Sequence, residues 1–155
     1  MMRMVTVGFV LNVSSKSSMI DIGVNLTNAR FDHDRAELIT RAQSVGIQGL
    51  LVTGTNIEES KKALELCQTF PDFLTCTAGV HPHDADNVGS DYLDVITELS
   101  NNVAVKAIGE CGLDFNRNFS TPEQQIKVFK AQIALAINLH KPLFLHQRDA
   151  FDLWL

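Results

Sequence analysis

Apolar residues along this chain fall into short continuous runs, separated by stretches with helical spacing. Ile20, Ile22 and Val24 mark a first predicted strand over 20–24. A helical pattern follows over 32–45, with Ala36, Ile39 and Ala42 on one face and Gly46 at its end. Leu50, Leu51 and Val52 centre a second strand over 47–53. Asn56 is then a predicted helix cap with Glu59 three residues on, and Ala63, Leu64 and Cys67 form that helix's apolar stripe. A third strand is expected over 73–80, a helix over 92–100, and a fourth strand over 103–108. Ser120 or Thr121 is the expected cap of the longest helix, with Pro122 in its first turn and Glu123 or Gln124 at the third position. Ile126, Phe129, Ile133 and Ile137 are its expected buried face. A fifth strand is expected over 143–145, and residues 148–155 read as a helix beginning.

Strands and helices thus alternate, with strand starts roughly thirty residues apart, the length of a βα unit. Continuous apolar strands of this kind belong to a parallel sheet covered by helices, an α/β class. Two architectures fit: a five-stranded doubly wound sheet, or part of a TIM (β/α)8 barrel, whose whole needs at least about 200 residues. Both place chemistry at the carboxyl ends of the strands. Polar side chains do follow every predicted strand: Asn25 after the first, Thr53 to Asn56 after the second, His81-Pro82-His83-Asp84 after the third. Glu110-Cys111-Gly112-Leu113-Asp114 follows the fourth and His146-Gln147-Arg148-Asp149 the fifth.

Composition narrows the partners. The 155 residues carry thirteen Lys+Arg against eighteen Asp+Glu, a net charge of −5 that argues against a broad basic face for duplex DNA. No apolar run reaches the roughly 18 residues of a membrane span. Three cysteines without a C-x-x-C pair make neither a disulfide framework nor a cysteine zinc site, and a cytoplasmic location fits. Residues 1–18 hold no acid and end in a serine-rich patch. They read as an extension ahead of a domain over 19–155, with a targeting peptide as the alternative. No phosphate-binding P-loop, dinucleotide fingerprint or serine-hydrolase elbow occurs.

Glu110 ends a buried strand, where a carboxylate needs a cation or hydrogen-bond donors. A metal ligand and a salt bridge to Lys106 or Arg148 are the two readings. His146 ends its strand in the same way, and an imidazole beside a carboxylate is a divalent-metal ligand or a hydrogen-bonded core histidine. His81 and His83 flank Pro82 and can bind metal, contact phosphate or remain solvated. Asp114, Asn116 and Arg117 stand after the fourth strand. Arg117 and Arg148 can grip phosphate oxygens. His33 and His140 read as structural, and Cys111 lacks a partner base.

Four of these strings together resemble the TatD family of metal-dependent deoxyribonucleases: Asp21-Ile22-Gly23-Val24-Asn25-Leu26-Thr27, Ala78-Gly79-Val80-His81-Pro82-His83, Gly109-Glu110-Cys111-Gly112-Leu113-Asp114-Phe115 and His146-Gln147-Arg148-Asp149. The resemblance spans about residues 19–152. It implies a TIM barrel, of which this chain would be about the first five βα units. It also implies magnesium dependence, with Mn2+ or Zn2+ as other candidates, and 3′–5′ exonuclease action on single-stranded DNA or RNA ends. Glu110 and His146 match the family's metal ligands. Glu110, His81 and His83 become the expected catalytic groups. Asn25, Asp114, Arg117 and Arg148 become the expected substrate contacts. Many relatives carry H-x-H after the first strand, where this sequence has Gly23 and Asn25. The family's other ligands, a His after strand six and an Asp after strand eight, would lie beyond Leu155, so these residues alone are expected to show little or no nuclease activity, and a monomer is expected. An inactive fragment and an amidohydrolase on the same barrel are the competing readings.

Overall fold

A computed structural model of the chain describes residues 19–153. The expectations for residues 1–18, and for Trp154 and Leu155 as part of a helix, lie outside the described residues. Strands β1 (Met19–Val24), β2 (Ile47–Val52), β3 (Leu74–Ala78), β4 (Val105–Asp114) and β5 (Leu143–Arg148) alternate with helices α1 (Arg35–Ser44), α2 (Ile57–Thr69), α3 (Tyr92–Ser100) and α4 (Pro122–Asn138). Short 3-10 turns occupy Ala29–Phe31, Pro82–Asn87 and Phe151–Leu153.

All four strand pairs are parallel, in the order β1-β2-β3-β4-β5. Each connection therefore advances the chain by one strand in the same direction. A doubly wound sheet reverses its order at a switch point, whereas a (β/α)8 barrel never does. The sheet is also curled. Glu110 N–H on β4 donates to the Gly54 carbonyl just past β2 at 2.7 Å, across the intervening β3. In a flat sheet those two strands would stand about 9–10 Å apart. The architecture is that of five consecutive strands of a TIM barrel.

The core lies between the sheet and its helices. Ile39, Ala63, Cys67, Ile96, Val128 and Ala136 pack against Leu50, Val52, Leu74, Cys76, Val105 and Ile108. β3 and β4 are buried along most of their length, while β1 and β5 are the edges, with Met19, Ile20 and Leu145 exposed. The Asn56 side chain accepts the Glu59 N–H at 2.9 Å and caps α2 as expected.

Three features depart from the sequence expectation. First, β4 starts two residues later, leaving Val103 82% exposed, and runs on through Asp114. Residues expected in a loop still pair with β5: Cys111 with Leu145, Gly112 with His146, Leu113 with Gln147 and Asp114 with Arg148. Secondly, the buried residues of α4 are Gln125, Val128, Gln132 and Ala136, whereas Ile137 is 67% exposed. Thirdly, the N-cap Thr121 makes no capping bond with its own side chain. Asp86, from the loop after β3, accepts the Thr121 N–H at 3.0 Å instead. A carboxylate from another loop does the cap's work and ties the two loops together.

Candidate active site

The site grows from the carboxyl ends of β3, β4 and β5. Between the pairs Ile108–Leu143 and Cys111–Leu145, three steps along β4 match two along β5. The surplus residue is a bulge at Gly109-Glu110, and a bulge of this kind re-aims the side chains that follow it. Gly109 holds φ +139°, and a Cβ there would strike the Phe144 carbonyl. Neighbouring strand ends lock the segment. Besides the Glu110–Gly54 bond, His81 N–H donates to the Thr55 carbonyl at 2.7 Å, and Gly54 N–H donates to Thr77 Oγ1 at 3.0 Å.

Five side chains converge there. Glu110 Oε1 lies 3.2 Å from His146 Nδ1 and 4.0 Å from His81 Nε2. His83 Nε2 bonds Asp114 Oδ2 at 2.6 Å. His146 Nε2 is buried without a hydrogen bond and faces the same Asp114 Oδ2 at 3.4 Å. The His81 ring stands edge-on to both His83 and His146, each with centroids 4.3 Å apart. Asp114 is fully buried, and its Oδ1 accepts the N–H groups of Asn116 and Arg117 at 3.0 Å each.

The donor set fits a divalent cation. Ligand atoms of His81, Glu110 and His146 lie within 4.8 Å of one another. His146 Nδ1 and Glu110 Oε1 share a hydrogen bond at 3.2 Å when Nδ1 carries the proton. With the proton on Nε2, facing Asp114, the Nδ1 lone pair and the carboxylate instead offer two ligand atoms, which an ion takes at about 2.0–2.2 Å. A carboxylate behind a ligating imidazole is the usual second layer of metal sites. His81 differs. The His83 N–H donates to His81 Nδ1 at 3.2 Å, so a neutral ring carries its proton on Nε2, toward Glu110. With the His146 proton on Nε2, Glu110 and His146 present lone pairs, and His81 presents an N–H.

Burial and charge set the protonation states. Burial holds the His81 imidazole down at about 4, against the pull of Glu110. Burial pushes the Glu110 carboxyl up, but the His146 hydrogen bond and the nearby imidazoles outweigh it, and the net shift is down. Burial pushes His146 down, but the bond and charge of Glu110, with Asp114, bring it above the usual imidazole range. Burial likewise pushes the Asp114 carboxyl up, yet the Arg117 N–H, His83 and the Asn116 N–H hold it at about 2.

A carboxyl depressed by folding stabilises the fold above its unfolded value and loses that contribution as pH falls through its folded value. Asp114 therefore contributes on the order of 2 kcal/mol above about pH 4, draining away toward pH 2. The metal-free chain and its Asp114→Asn variant should show a gap in unfolding free energy that narrows as pH falls from about 4 toward 2, below the range in which His146 titrates. A gap that stays level or widens over that acid range would contradict this placement of the Asp114 charge.

The structure brings His81, His83, Glu110, Asp114 and His146 together. Glu110 faces imidazoles, with no ion pair to Lys106 or Arg148 among the described residues. Asn25 is exposed after β1, and Arg117 is exposed in the loop after β4. Arg148 is half-buried at the end of β5, with a buried Nε that lacks a partner. His33 is exposed, and burial pushes the Cys111 thiol up to about 12, which keeps it unreactive. Sequence reasoning missed Gln125, Gln132 and Asp86 and read Ser120 only as a candidate helix cap; all four bond the backbone around the site. Their one signal is two glutamines seven residues apart, in line with Val128 and Ala136.

A family model described as TatD related DNase matches residues 20–155. The 3′-5′ ssDNA/RNA exonuclease TatD of Pectobacterium parmentieri is 53% identical over 132 residues, which cover 85% of this chain and 51% of that protein. Its counterpart in Salmonella typhimurium is 50% identical over 137 residues, covering 88% and 52%. Among solved structures, a TatD family hydrolase from Entamoeba histolytica superposes with a TM-score of 0.80 at 29% identity, covering 87% of this chain and 51% of that one. An uncharacterized amidohydrolase from Saccharomyces cerevisiae gives a TM-score of 0.76 at 29% identity, covering 87% and 49%. The chain spans about half the length of the curated relatives it matches. No helix among the described residues is long and apolar enough to cross a membrane.

Proposed function

This chain belongs to the TatD related DNase family, and we propose that it carries part of a metal-dependent phosphodiesterase site that acts on the 3′ ends of single-stranded DNA or RNA. The observation that carries the reading is the cluster of Glu110, His146 and His81, whose ligand atoms lie within 4.8 Å of one another. Glu110 and His146 would hold the ion. When bound, it supplies positive charge to a phosphoryl oxygen and acidifies water. Magnesium follows from the family resemblance. Imidazole donors suit Mn2+ or Zn2+ better, because Mg2+ favours oxygen ligands.

The remaining groups have distinct tasks. Neutral His81 donates its Nε2–H to an oxygen of the phosphodiester. His83, bonded to buried Asp114, is the group placed to take and return a proton. Asp114 is fully buried with both oxygens engaged, so it orients His83, faces His146 and stays out of reach of substrate. Arg148 has an unpartnered Nε, and with Arg117 and Asn25 it would meet phosphates further along the strand. The net charge of −5 suits a cleft taking a strand end rather than a surface coating a duplex.

Calorimetric titration of the purified chain with Mn2+, Zn2+ and Mg2+ tests the site, and retention of a 5′-labelled single strand tests the substrate. One bound ion is expected, with tighter retention in Mn2+ than in chelator and a preference for single strand over duplex. Hydrolysis by these 155 residues alone is expected to be slight. Failure to bind any of the three ions, or equal retention of duplex, would sink the reading. The amidohydrolase alternative, which the yeast neighbour keeps open, predicts ring opening of a dihydropyrimidine in the same buffer.

A further inference from the structure

Helix α4 reaches the ends of two strands through two buried glutamines. Gln132 Oε1 accepts the Val80 N–H at 2.8 Å, while its Nε2 donates to the Val80 carbonyl at 3.0 Å. Gln125 makes the same pairing one strand over. Its Oε1 accepts the Asp114 N–H at 2.9 Å, and its Nε2 donates to the Asp114 carbonyl at 3.1 Å and the Ser120 carbonyl at 2.9 Å. The two residues are seven apart, about two helical turns, and so lie on one face of α4. Their exposures are 1% and 0%. Glutamine at such positions is costly unless its amide is satisfied, and here both amides are.

A side-chain amide offers one donor and one acceptor, the pair that a neighbouring strand would present to a peptide unit. At Val80, just past the end of β3, and at Asp114, the last residue of β4, α4 supplies that partner. Val80 immediately precedes His81. Asp114 holds His83 and faces His146. Ser120, just before α4, adds a third tie: its Oγ donates to the His83 carbonyl at 2.8 Å and accepts the Asp86 N–H at 3.0 Å.

We propose that Gln132 and Gln125 are positioning residues, which fix His81 through Val80 and His83 through Asp114 by pairing with those peptide units. The inference rests on reading these histidines as site groups. It predicts a cross-pattern that loss of packing alone would not produce.

The test uses the metal-free 155-residue chain and the nitrogen resonances of its imidazoles. Gln132→Leu should displace or broaden His81, and Gln125→Leu should do so to His83. Val128→Ala, which opens a cavity on the same face of α4 without touching either pairing, should displace neither. Where a leucine variant does not fold, the methionine variant decides. Methionine keeps the length and unbranched shape of the side chain but offers the peptide unit no donor and only a weak acceptor, so the same ring should move. A folded Gln132 or Gln125 variant whose imidazole spectrum matches that of Val128→Ala would overturn the proposal. Mn2+ titration of the same samples judges the site separately. A parent chain that binds no ion would count against the metal reading, while the imidazole spectra would still decide the role of the glutamines. If the parent binds Mn2+, Gln125→Leu should weaken it by up to about tenfold, because Asp114 stands behind the ligand His146.

Discussion

Glu110→Gln is expected to weaken divalent-ion binding by at least about 100-fold while the chain stays folded, a loss beyond that of a residue behind the ligands. The substitution keeps the side chain's volume and one carbonyl oxygen. It removes the single negative charge that faces His146 Nδ1 at 3.2 Å and the His81 Nε2–H. An amide is a poor substitute for a carboxylate toward a hard or borderline cation, and it carries no charge to offset the ion's. The fold should survive, because the Glu110 backbone bond to Gly54 does not involve the side chain. His146 gives a second, metal-free reading. Its imidazole is held above the usual range chiefly by the Glu110 bond and charge working against burial. In the glutamine variant it should titrate at lower pH, visible in its nitrogen resonances. A variant that binds Mn2+ within about threefold of the parent would show that Glu110 is not a ligand.

Legibility in the sequence followed a physical division. Continuous apolar runs revealed the strands, because a strand covered on both faces must be apolar throughout. The runs carry no record of which strands are neighbours. Parallel order is set by connections of roughly equal length in either architecture, so the choice between barrel and doubly wound sheet needed either the family motifs or the observed order. β4 was read short because Gly109, Glu110, Gly112 and Asp114 look like loop residues. They stay in the ladder because glycine tolerates the backbone angles that the bulge and the close β5 approach impose.

The site residues were legible as candidates through the rule that chemistry gathers at strand ends. Their pairing was not. Nothing in the spacing says that Asp114 is fully buried with His83, or that His146 stands between two carboxylates. The face of α4 misled for a related reason. Hydrophobic periodicity ranks Ile126, Phe129, Ile133 and Ile137 above any glutamine. Near the strand ends, however, a helix meets peptide groups that lack a ladder partner, and there polar side chains are the better cover. Gln125 and Gln132 sit against those groups, while Ile137 is left 67% exposed.

Gly112→Ala should be among the most destabilising single-methyl additions in the chain, costing several kcal/mol and disabling the site as it does so. Gly112 has φ +145° and pairs with His146 across β4 and β5. An added Cβ would run into the His146 carbonyl and crowd its carbon and nitrogen, all of them backbone atoms. A flexible side chain can yield, but a ladder strand cannot without parting from its neighbour. Relief therefore requires β5 to move, and β5 carries His146 out of line with Glu110 and Asp114. Gly46 separates strain from collision. It has φ +94°, but a Cβ there meets nothing within 4 Å. Gly46→Ala should cost only about 1 kcal/mol, the strain alone. Urea unfolding of the two variants measures the difference, and Mn2+ titration of whatever Gly112→Ala remains folded measures the displacement of His146. Equal unfolding midpoints for the two variants would mean that β4 and β5 are further apart at Gly112 than their register demands, and that the placement of His146 does not depend on this glycine.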